Sequence, residues 1–439
     1  MALKHQAPRG TRDLLPEELA HWHWAEAKTR AVMSRYGYGE IRTPIFEDFE
    51  LFARTSGEAS DVVKKEMYRF KDLGDRDLAL RPEGTASVAR AYLERGMGGH
   101  ARIHRLWYMG PMFRYGRPQK GRYRQFYQVG AEIIGSAAPG ADVEIIALFV
   151  DLFDAWGFSN LIVKVNSVGT PETRHEYGEQ LRHWLHPVMS ELSGDSQARL
   201  AANPLRVLDS KDPKDLELFA RREKAGAPMP RMLDALDVES LRHWERVLEG
   251  LAALGIANEI DHGLVRGLDY YTRTAFEVHD PSLGAQSALG GGGRYDGLIE
   301  ELGGPATPGV GFSIGLDRVM LALEEHRGAA VHAVSSVFVA AMDSTRAAAA
   351  ALTRELRREF VVDCDLEARG MGAQMKQADK SGARVVVLLG EDEWKRGEVL
   401  LKDLASGEQR PVARAKLAEA LRQSLAEPLR QKLSPGEGR

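Results

Sequence analysis

The densest group of chemically useful side chains lies between residues 95 and 131, where the chain has eight cations and no acidic residue. The whole chain has a formal net charge of -4, so this positive charge is local. Residues 113–128 read FRYGRPQKGRYRQFYQ, in which arginines alternate with aromatic residues. Arginine binds phosphate through paired hydrogen bonds, and aromatic rings stack on flat bases. The segment therefore predicts a site for a nucleotide or for the end of an RNA.

A solvated charged surface is the alternative interpretation, because most charge runs have that role. Strand-like sequences flank the segment at 105–113 and 124–135, and the GRPQKG between them is typical of a hairpin loop. Such a hairpin would place Arg114 at the end of one strand, and Arg122 and Arg124 where the chain returns. This arrangement favours a hairpin that grips an anion.

Other common sites are missing from the sequence. It contains no GxxxxGK[ST] and no HExxH, and GGGGR at 290–294 does not complete GxGxxG. Cys364 is the only cysteine and the thirteen histidines form no metal-spaced cluster, so we expect no metal site built from protein residues. The lone cysteine, the lack of an apolar signal core and the lack of an 18-residue apolar run predict a cytoplasmic protein with no membrane contact.

The chain of 439 residues is long enough for two or three domains. Residues 171–250 are polar and helical in pattern, which indicates an insertion into a sheet domain spanning 1–330. Residues 334–425 alternate strand and helix and predict a small α/β domain with a largely parallel sheet. The segment 142–156 predicts a helix with Asp142 as its N-cap, and residues 426–439 predict a flexible tail.

Three stretches resemble the motifs of class II aminoacyl-tRNA synthetases. GPMFRYGRPQKGRYRQFYQVGAEIIG is similar to motif 2, YGYGEIRTPIFED to motif 1 with its proline at Pro44, and GVGFSIGLDR to motif 3, ending in Arg318. LVRGLDYYTRTAFE (264–277) and GGGGRYDGL (290–298) resemble signatures of the histidyl-tRNA synthetases in particular. The resemblance runs over nearly the whole chain.

This resemblance implies an α+β catalytic domain with an antiparallel sheet of six to seven strands and a helical insertion, followed by an anticodon-binding α/β domain. It also implies ATP-dependent ligation of L-histidine to its tRNA through a histidyl-adenylate, with release of AMP and pyrophosphate. The expected partners are ATP with Mg²⁺, L-histidine, the histidine-accepting tRNA and a second copy of the chain. No tightly bound organic cofactor is expected.

The resemblance assigns roles to particular residues. Arg114 is expected on the α-phosphate, Arg318 near the γ-phosphate, and Arg266 between the α-phosphate and the histidine carboxylate, while Arg122 contacts ATP or the tRNA end. The histidine pocket is expected to contain Glu83, Gly84, Thr85, Gln128, Glu132, Tyr270 and Tyr271. Of these, Glu132 and Tyr271 would read the imidazole, because a neutral imidazole offers one donor and one acceptor.

Several structural alternatives stay open at this stage. Glu83 could be a turn carboxylate, and only one of Tyr270 and Tyr271 could face the site. Arg266 could pair with a nearby aspartate, and Asp317 could be a structural partner of an arginine.

Two rival functions also stay open. One is the regulatory paralogue that partners ATP phosphoribosyltransferase in histidine biosynthesis, and the other is a class II synthetase for another amino acid. The arginines at 114, 266 and 318, together with the C-terminal α/β pattern, argue against the paralogue. VRGLDYY argues against another amino acid.

Overall fold

The chain folds into two compact units, Met1–Ala330 and Val331–Arg439. The computed structural model describes residues 5–56, 62–208, 210–265, 270–282, 287–327 and 337–426. The predicted tail therefore lies almost wholly outside the described residues. Within them, no helix combines the length and the apolar character needed to cross a membrane.

The strands of the first unit belong to one large and one small sheet. They are β1 (Gly39–Glu40), β2 (Phe46–Asp48), β3 (Arg69–Lys71), β4 (Asp77–Leu80), β5 (His104–Phe113), β6 (Gln125–Ile134), β7 (Ile162–Ser167), β8 (Asn258–Ile260), β9 (Thr272–His279), β10 (Ala288–Arg294) and β11 (Gly309–Gly315). The strands of the second unit are β12 (Val337–Ala341), β13 (Val362–Cys364), β14 (Val385–Leu389), β15 (Glu398–Asp403) and β16 (Gln409–Ala413).

Helices cover the sheets and fill the predicted insertion. Those of the first unit are α1 (Pro16–Arg35), α2 (Phe49–Ser56), α3 (Thr85–Glu94), α4 (Pro139–Trp156), α5 (Pro171–Leu185), α6 (Gly194–Ala202), α7 (Pro213–Lys224), α8 (Val238–Ala253), α9 (Leu298–Glu301) and α10 (Leu316–Arg327). Those of the second unit are α11 (Arg346–Leu356), α12 (Met371–Lys380), α13 (Glu391–Lys395) and α14 (Leu417–Ala426).

The large sheet has eight strands in the order β1-β5-β6-β11-β10-β9-β7-β8. Its six central strands pair antiparallel, as expected, but the edge strands β1 and β8 pair parallel with β5 and β7. The predicted count of six to seven strands is therefore too low. The two extra strands have only two and three residues, too few to display an alternating pattern in the sequence.

Helix α4 packs on this sheet together with α1 and α8, and their apolar side chains form the main core. Asp142 is not the N-cap predicted from the sequence, because the helix begins at Pro139 with Ala138 as its cap. Asp142 instead lies fully buried in the first turn and forms an ion pair with the buried guanidinium of Arg294. Proline is well suited to the first helical position, which explains the earlier start.

The five-stranded sheet of the second unit has the order β13-β12-β14-β15-β16. Strand β12 pairs parallel with β13 and β14, whereas β14, β15 and β16 pair antiparallel. The expected largely parallel sheet is therefore mixed. A parallel crossover takes a dozen or more residues, and the short connections after β14 and β15 are compatible only with antiparallel neighbours.

Candidate active site

The two faces of the large sheet differ sharply in side-chain size. On one face of the sheet, paired positions of β5, β6, β11 and β10 bring several glycines together. These glycines are Gly110, Gly130, Gly291, Gly293, Gly311 and Gly315. A Cβ at Gly130 would lie 2.2 Å from the Tyr108 ring, and one at Gly311 would lie 1.7 Å from a Glu132 carboxylate oxygen. These glycines therefore make room for larger groups beside them.

A cavity of about 1000 Å³ opens above this glycine-rich face. The predicted β5–β6 hairpin is present, and its strands pair over their whole length, so Arg114 and Arg122 stand at the cavity wall. The cavity is lined by most of the site residues predicted from the sequence: Glu83, Thr85, Arg114, Arg122, Gln128, Tyr270, Tyr271 and Arg318.

Three arginines form the cationic end of the cavity. Arg114 donates from Nε to the Pro82 carbonyl at 2.8 Å, and its guanidinium lies 5.6 Å from the centroid of the Phe126 ring. Burial, followed by the positive charge of Arg122, lowers the pKa of Arg318. Arg122 also pairs with Glu66 at 3.0 Å. Arginines that face one another in this way create a positive potential suited to a polyanion.

Arg124 has a different role from its neighbours in the hairpin. Its guanidinium lies 3.7 Å from the centroid of the Tyr115 ring, and it is not one of the described residues that line the cavity. The regular alternation of the sequence therefore divides the cations between the cavity and the outside of the hairpin.

Glu83 directly follows Pro82, whose carbonyl holds Arg114, and it lines the cavity while almost fully buried. Its carboxylate accepts the backbone N–H groups of Thr85 and Ala86 at 2.6 and 2.9 Å, so it also caps α3. Burial raises the pKa of Glu83, although those two hydrogen bonds act in the opposite direction. Gly84 lets this turn lie against Tyr108, since a Cβ there would be 2.2 Å from the ring. The turn-carboxylate alternative is thus correct for the local structure, and the same residue lines the cavity.

Gln128 contributes an unpaired acceptor to the cavity. Its side chain is buried, and its Oε1 has no hydrogen-bond partner in the structure. A buried polar atom without a partner is costly. A ligand that donates a hydrogen bond would remove this cost.

Glu132 lies behind the cavity wall and is not one of the described residues that line it. Its carboxylate is fully buried and accepts hydrogen bonds from the hydroxyls of Thr85 at 2.8 Å and Tyr295 at 2.6 Å. Burial raises the pKa of Glu132 to about 8. Thr85 and Tyr295 therefore connect this carboxylate to the cavity.

Tyr270 and Tyr271 are both buried and both line the cavity, with ring centroids 4.7 Å apart. Burial, and next the neighbouring Tyr271, raise the pKa of Tyr270 far above its usual range. Arg174, on α5 of the insertion, donates to the Tyr271 carbonyl at 2.6 Å and ties this segment to the helices. Arg266, four residues before Tyr270, lies outside the described residues, so its predicted position at the α-phosphate stays a prediction.

Asp317 pairs with an arginine, Arg12, as the open alternative allowed, and it also lines the cavity. It accepts the Tyr127 backbone N–H at 2.8 Å and lies 3.4 Å from the Arg12 guanidinium. These contacts join the start of α10 to β6 and to the N-terminal segment. The adjacent Arg318 is thereby held at the cavity.

Several cavity residues were missed by the sequence reasoning. Tyr295 is the principal one, and it could have been predicted because it lies within the family signature GGGGRYDGL. Glu277, His279, Ser287 and Ser313 also line the cavity, as do Leu208, Ser210 and Lys211 of the insertion. No local pattern predicts the insertion residues, because they reach the cavity through the tertiary fold.

A glycine-rich antiparallel sheet with an arginine-bearing hairpin, joined to an α/β unit, has the architecture of a class II aminoacyl-tRNA synthetase. Comparison with known proteins gives the family. The chain belongs to the histidyl-tRNA synthetase family, whose model matches residues 10–319, and an anticodon-binding-domain model matches residues 336–424.

Relatives and solved structures agree with this family. A histidine–tRNA ligase of Thermosynechococcus vestitus is 49% identical over 418 residues, 94% of this chain and 95% of that protein. One from Desulforamulus reducens is 48% identical over 93% of this chain and 97% of its own length. The structure of apo histidyl-tRNA synthetase from S. aureus has a TM-score of 0.79 at 38% identity, covering 95% of this chain and 99% of that one. The regulatory paralogue is therefore not favoured.

Proposed function

We propose that the protein ligates L-histidine to its tRNA in two steps. ATP and histidine first form histidyl-adenylate and pyrophosphate, and a terminal ribose hydroxyl of the tRNA then takes the histidyl group, releasing AMP. The observation that carries this proposal is one cavity lined both by three arginines and by the buried polar residues predicted for the histidine pocket. The named relatives support the choice of amino acid.

The first step joins two anions, the histidine carboxylate and the α-phosphate. Arg114 is placed to stabilise the charge that develops on the α-phosphate, because the Pro82 carbonyl fixes its guanidinium before substrate binds. Arg318 and Arg122 would bind the outer phosphates. We also propose that Arg266 bridges the α-phosphate and the histidine carboxylate.

Histidine would bind beside these arginines, among the buried polar residues of the cavity. The ammonium group would donate to Glu83 and to the unpaired Oε1 of Gln128. The imidazole would be read by Tyr271 and by the Tyr295–Glu132 pair, in which Tyr295 lies between the cavity and the carboxylate. A site built from buried hydrogen-bonding groups rejects side chains that cannot pair with them.

Magnesium would enter with ATP. Within the described residues, no group of three or more His, Cys, Asp or Glu side chains is placed to hold a metal. Mg²⁺ keeps several waters and commonly binds through substrate phosphates. We therefore propose that the metal is held chiefly by the ATP phosphates, and that no organic cofactor takes part.

The second unit would bind the anticodon end of the tRNA, with the catalytic domain spanning 1–330 and this domain spanning 334–425. The anticodon-binding-domain match supports this assignment. A chain truncated near residue 330 should lose tRNA charging far more than adenylate formation. Equal loss of both activities would indicate a structural role instead.

The active form would be a homodimer. Ile45 and Phe46, in the motif 1 stretch, are 45% and 50% exposed, and Phe70 on the same small sheet is 41% exposed. Apolar side chains exposed together suit a two-fold interface. Light scattering at micromolar concentration should give twice the mass of one chain, and a fully active monomer would overturn this point.

We also propose that the reaction takes place in the cytoplasm, where ATP and tRNA are available for protein synthesis. Aminoacylation of purified tRNA tests the proposed function. The wild-type chain should attach histidine to histidine-accepting tRNA when ATP is present. Failure to charge this tRNA by a folded protein would refute the proposal.

A further inference from the structure

The N-terminal segment, residues 8–15, precedes α1 and lies against the β5–β6 hairpin. The carbonyl of Gly10 accepts the backbone N–H of Arg124 at 2.7 Å, and the carbonyl of Arg124 accepts the N–H of Arg114 at 2.9 Å. The contact is close, since a Cβ at Gly10 would lie 2.8 Å from the Arg124 side chain. The segment is therefore bound to the hairpin at the point where Arg114 meets the returning strand.

Arg12 of this segment contacts two elements of the cavity wall at once. Its guanidinium lies 4.9 Å from the centroid of the Tyr123 ring and donates to an Asp317 carboxylate oxygen at 3.4 Å. Tyr123 follows Arg122 in the hairpin, Asp317 precedes Arg318 in α10, and all four of these residues line the cavity. Arg12 is not one of the described residues that line it. One side chain outside the cavity therefore joins the neighbours of two cavity arginines.

The hairpin and α10 also approach each other closely. A Cβ at Gly121 of the hairpin would lie 2.6 Å from the Leu321 side chain and 3.7 Å from Arg318 Cγ. A small shift of α10 against the hairpin would thus change the spacing between Arg122 and Arg318. A misplacement of about 1 Å at a reacting site can cost roughly 100-fold in rate. This spacing therefore needs a fixed support.

The charge of Arg12 suits the burial of Asp317, which is only 4% exposed. Burial raises the pKa of Asp317, whereas the Tyr127 N–H and, next, the positive charge of Arg12 act in the opposite direction. A second ion pair, from Arg12 to Glu18 at 2.5 Å, ties the same guanidinium to α1. Arg12 therefore stabilises the ionised carboxylate that holds the start of α10 against β6.

The alternative is that Arg12 only fastens the N-terminal segment to the fold. Its loss would then lower stability and leave the binding of each substrate as it is. The contacts favour a positional role, because both Tyr123 and Asp317 line the cavity themselves. The two roles differ in what they do to substrate affinity.

We propose that Arg12 is a positioning residue for adenylate formation. By joining Tyr123 of the hairpin to Asp317 of α10, it fixes the spacing of Arg122 and Arg318 and thereby the position of the outer phosphates of ATP. Arg12 acts through these residues and does not touch substrate. This inference rests on the proposed function, since it takes ATP as the substrate.

The test measures the KM for ATP and the KM for histidine separately in ATP–pyrophosphate exchange. In Arg12→Ala the KM for ATP should rise about 10- to 100-fold, because displaced cations bind the outer phosphates less well. The KM for histidine should stay within about threefold of the wild-type value. A loss of folded enzyme lowers the apparent kcat and leaves both KM values unchanged, so this split separates positioning from stability.

Three further variants sharpen the test. Arg9→Ala removes an exposed cation from the same segment and should keep both KM values. Arg12→Lys should restore part of the ATP affinity, because an ammonium keeps the charge without the planar fork. In the Asp317→Asn background, Arg12→Ala should raise the KM for ATP little further, since residues that act through one contact are not additive. Thermal melting of each variant reports its folding.

The outcomes separate this inference from the proposed function. If the wild-type protein supports no histidine-dependent exchange, the proposed function fails. If it does, but Arg12→Ala keeps the wild-type KM for ATP, or raises both KM values equally, the positioning role is overturned. An effect of Arg9→Ala as large as that of Arg12→Ala, or full additivity with Asp317→Asn, would likewise overturn it.

Discussion

The two faces of the eight-stranded sheet are built from the same strands but have opposite properties. One face carries large apolar side chains such as Phe276 and Phe312, which are fully or almost fully buried beneath α4. The other face alternates glycines with Gln128, Glu132 and other polar residues. Because the side chains of a strand alternate, each strand contributes to both faces at once.

The two faces separate the residues that stabilise the fold from the residues that bind substrate. The apolar face packs densely, so its side chains contribute to folding free energy, whereas the glycine-rich face leaves space and holds polar groups with unmet hydrogen-bonding capacity. Substitutions on one face should therefore change stability, and substitutions on the other should change catalysis.

Phe276→Ala should have the largest effect on stability. The ring packs against Phe149 with centroids 5.4 Å apart, it is fully buried, and it is not among the described residues that line the cavity. Removing it should reduce the free energy of unfolding by roughly 3–5 kcal/mol. Denaturant unfolding would measure this loss, while the KM for histidine of the folded fraction should change little. A large rise in KM without loss of stability would contradict the separate roles of the two faces.

Arg114→Ala should slow the reaction and leave stability nearly unchanged. Loss of one preorganised donor to the developing charge costs about 2.7–4 kcal/mol, or roughly 100- to 1000-fold in rate. Single-turnover pyrophosphate release should slow by that factor at nearly unchanged stability. The matched control is Arg105→Ala, from the same cationic stretch, whose guanidinium pairs with Glu144 instead of facing the cavity. Equal rate losses in both variants would contradict the assignment.

Gly311→Ala should disturb both properties, since the added Cβ would lie 1.7 Å from Glu132 Oε2 and 2.7 Å from the Ala131 carbonyl. Overpacking of this kind costs about 1–3 kcal/mol of stability, and the shifted carboxylate should raise the KM for histidine. Gly315→Ala, on the same strand and face, meets nothing within 4 Å and should retain wild-type stability. Similar melting temperatures for the two variants would show that stability does not depend on the close approach of Gly311 to Glu132.

Glu132→Gln should change the dependence of stability on pH. The pKa of Glu132 is about 8 when folded against 4.5 in its unperturbed state, so between these values the folded protein binds a proton that the unfolded chain releases. Stability from this residue is therefore present at low pH and falls as pH rises from about 4.5 to 8, by up to about 1.4 kcal/mol per unit. Unfolding at pH 5.5 and 8 should show a smaller decrease in the variant, and an identical decrease would contradict the raised pKa.

The sequence predicted the polar residues of the site better than their arrangement. The resemblance to class II motifs brought Arg114, Glu83, Gln128 and Tyr271 into one group, and the cavity contains all four. It did not predict that Glu132 lies behind Tyr295, because strand alternation gives the face of a residue but not what covers it. The insertion residues at the cavity wall depend on tertiary packing alone.

Local patterns also explain the errors in the fold. Long strands such as β5 and β6 have clear flanking signals and were placed within a residue or two. The edge strands β1 and β8 are too short for such signals, and Asp142 was assigned by residue type alone. Its burial against Arg294 links positions 152 residues apart, which no window of local sequence displays.

If the glycine-rich face of the sheet activates histidine with its arginines and its buried polar residues, the choice of amino acid should be visible in the first step. ATP–pyrophosphate exchange by the wild-type chain with each of the twenty amino acids in turn measures this choice. Histidine alone should support rapid exchange. Exchange with another amino acid as fast as with histidine, or no exchange with any amino acid by a folded protein, would contradict this role of the glycine-rich face.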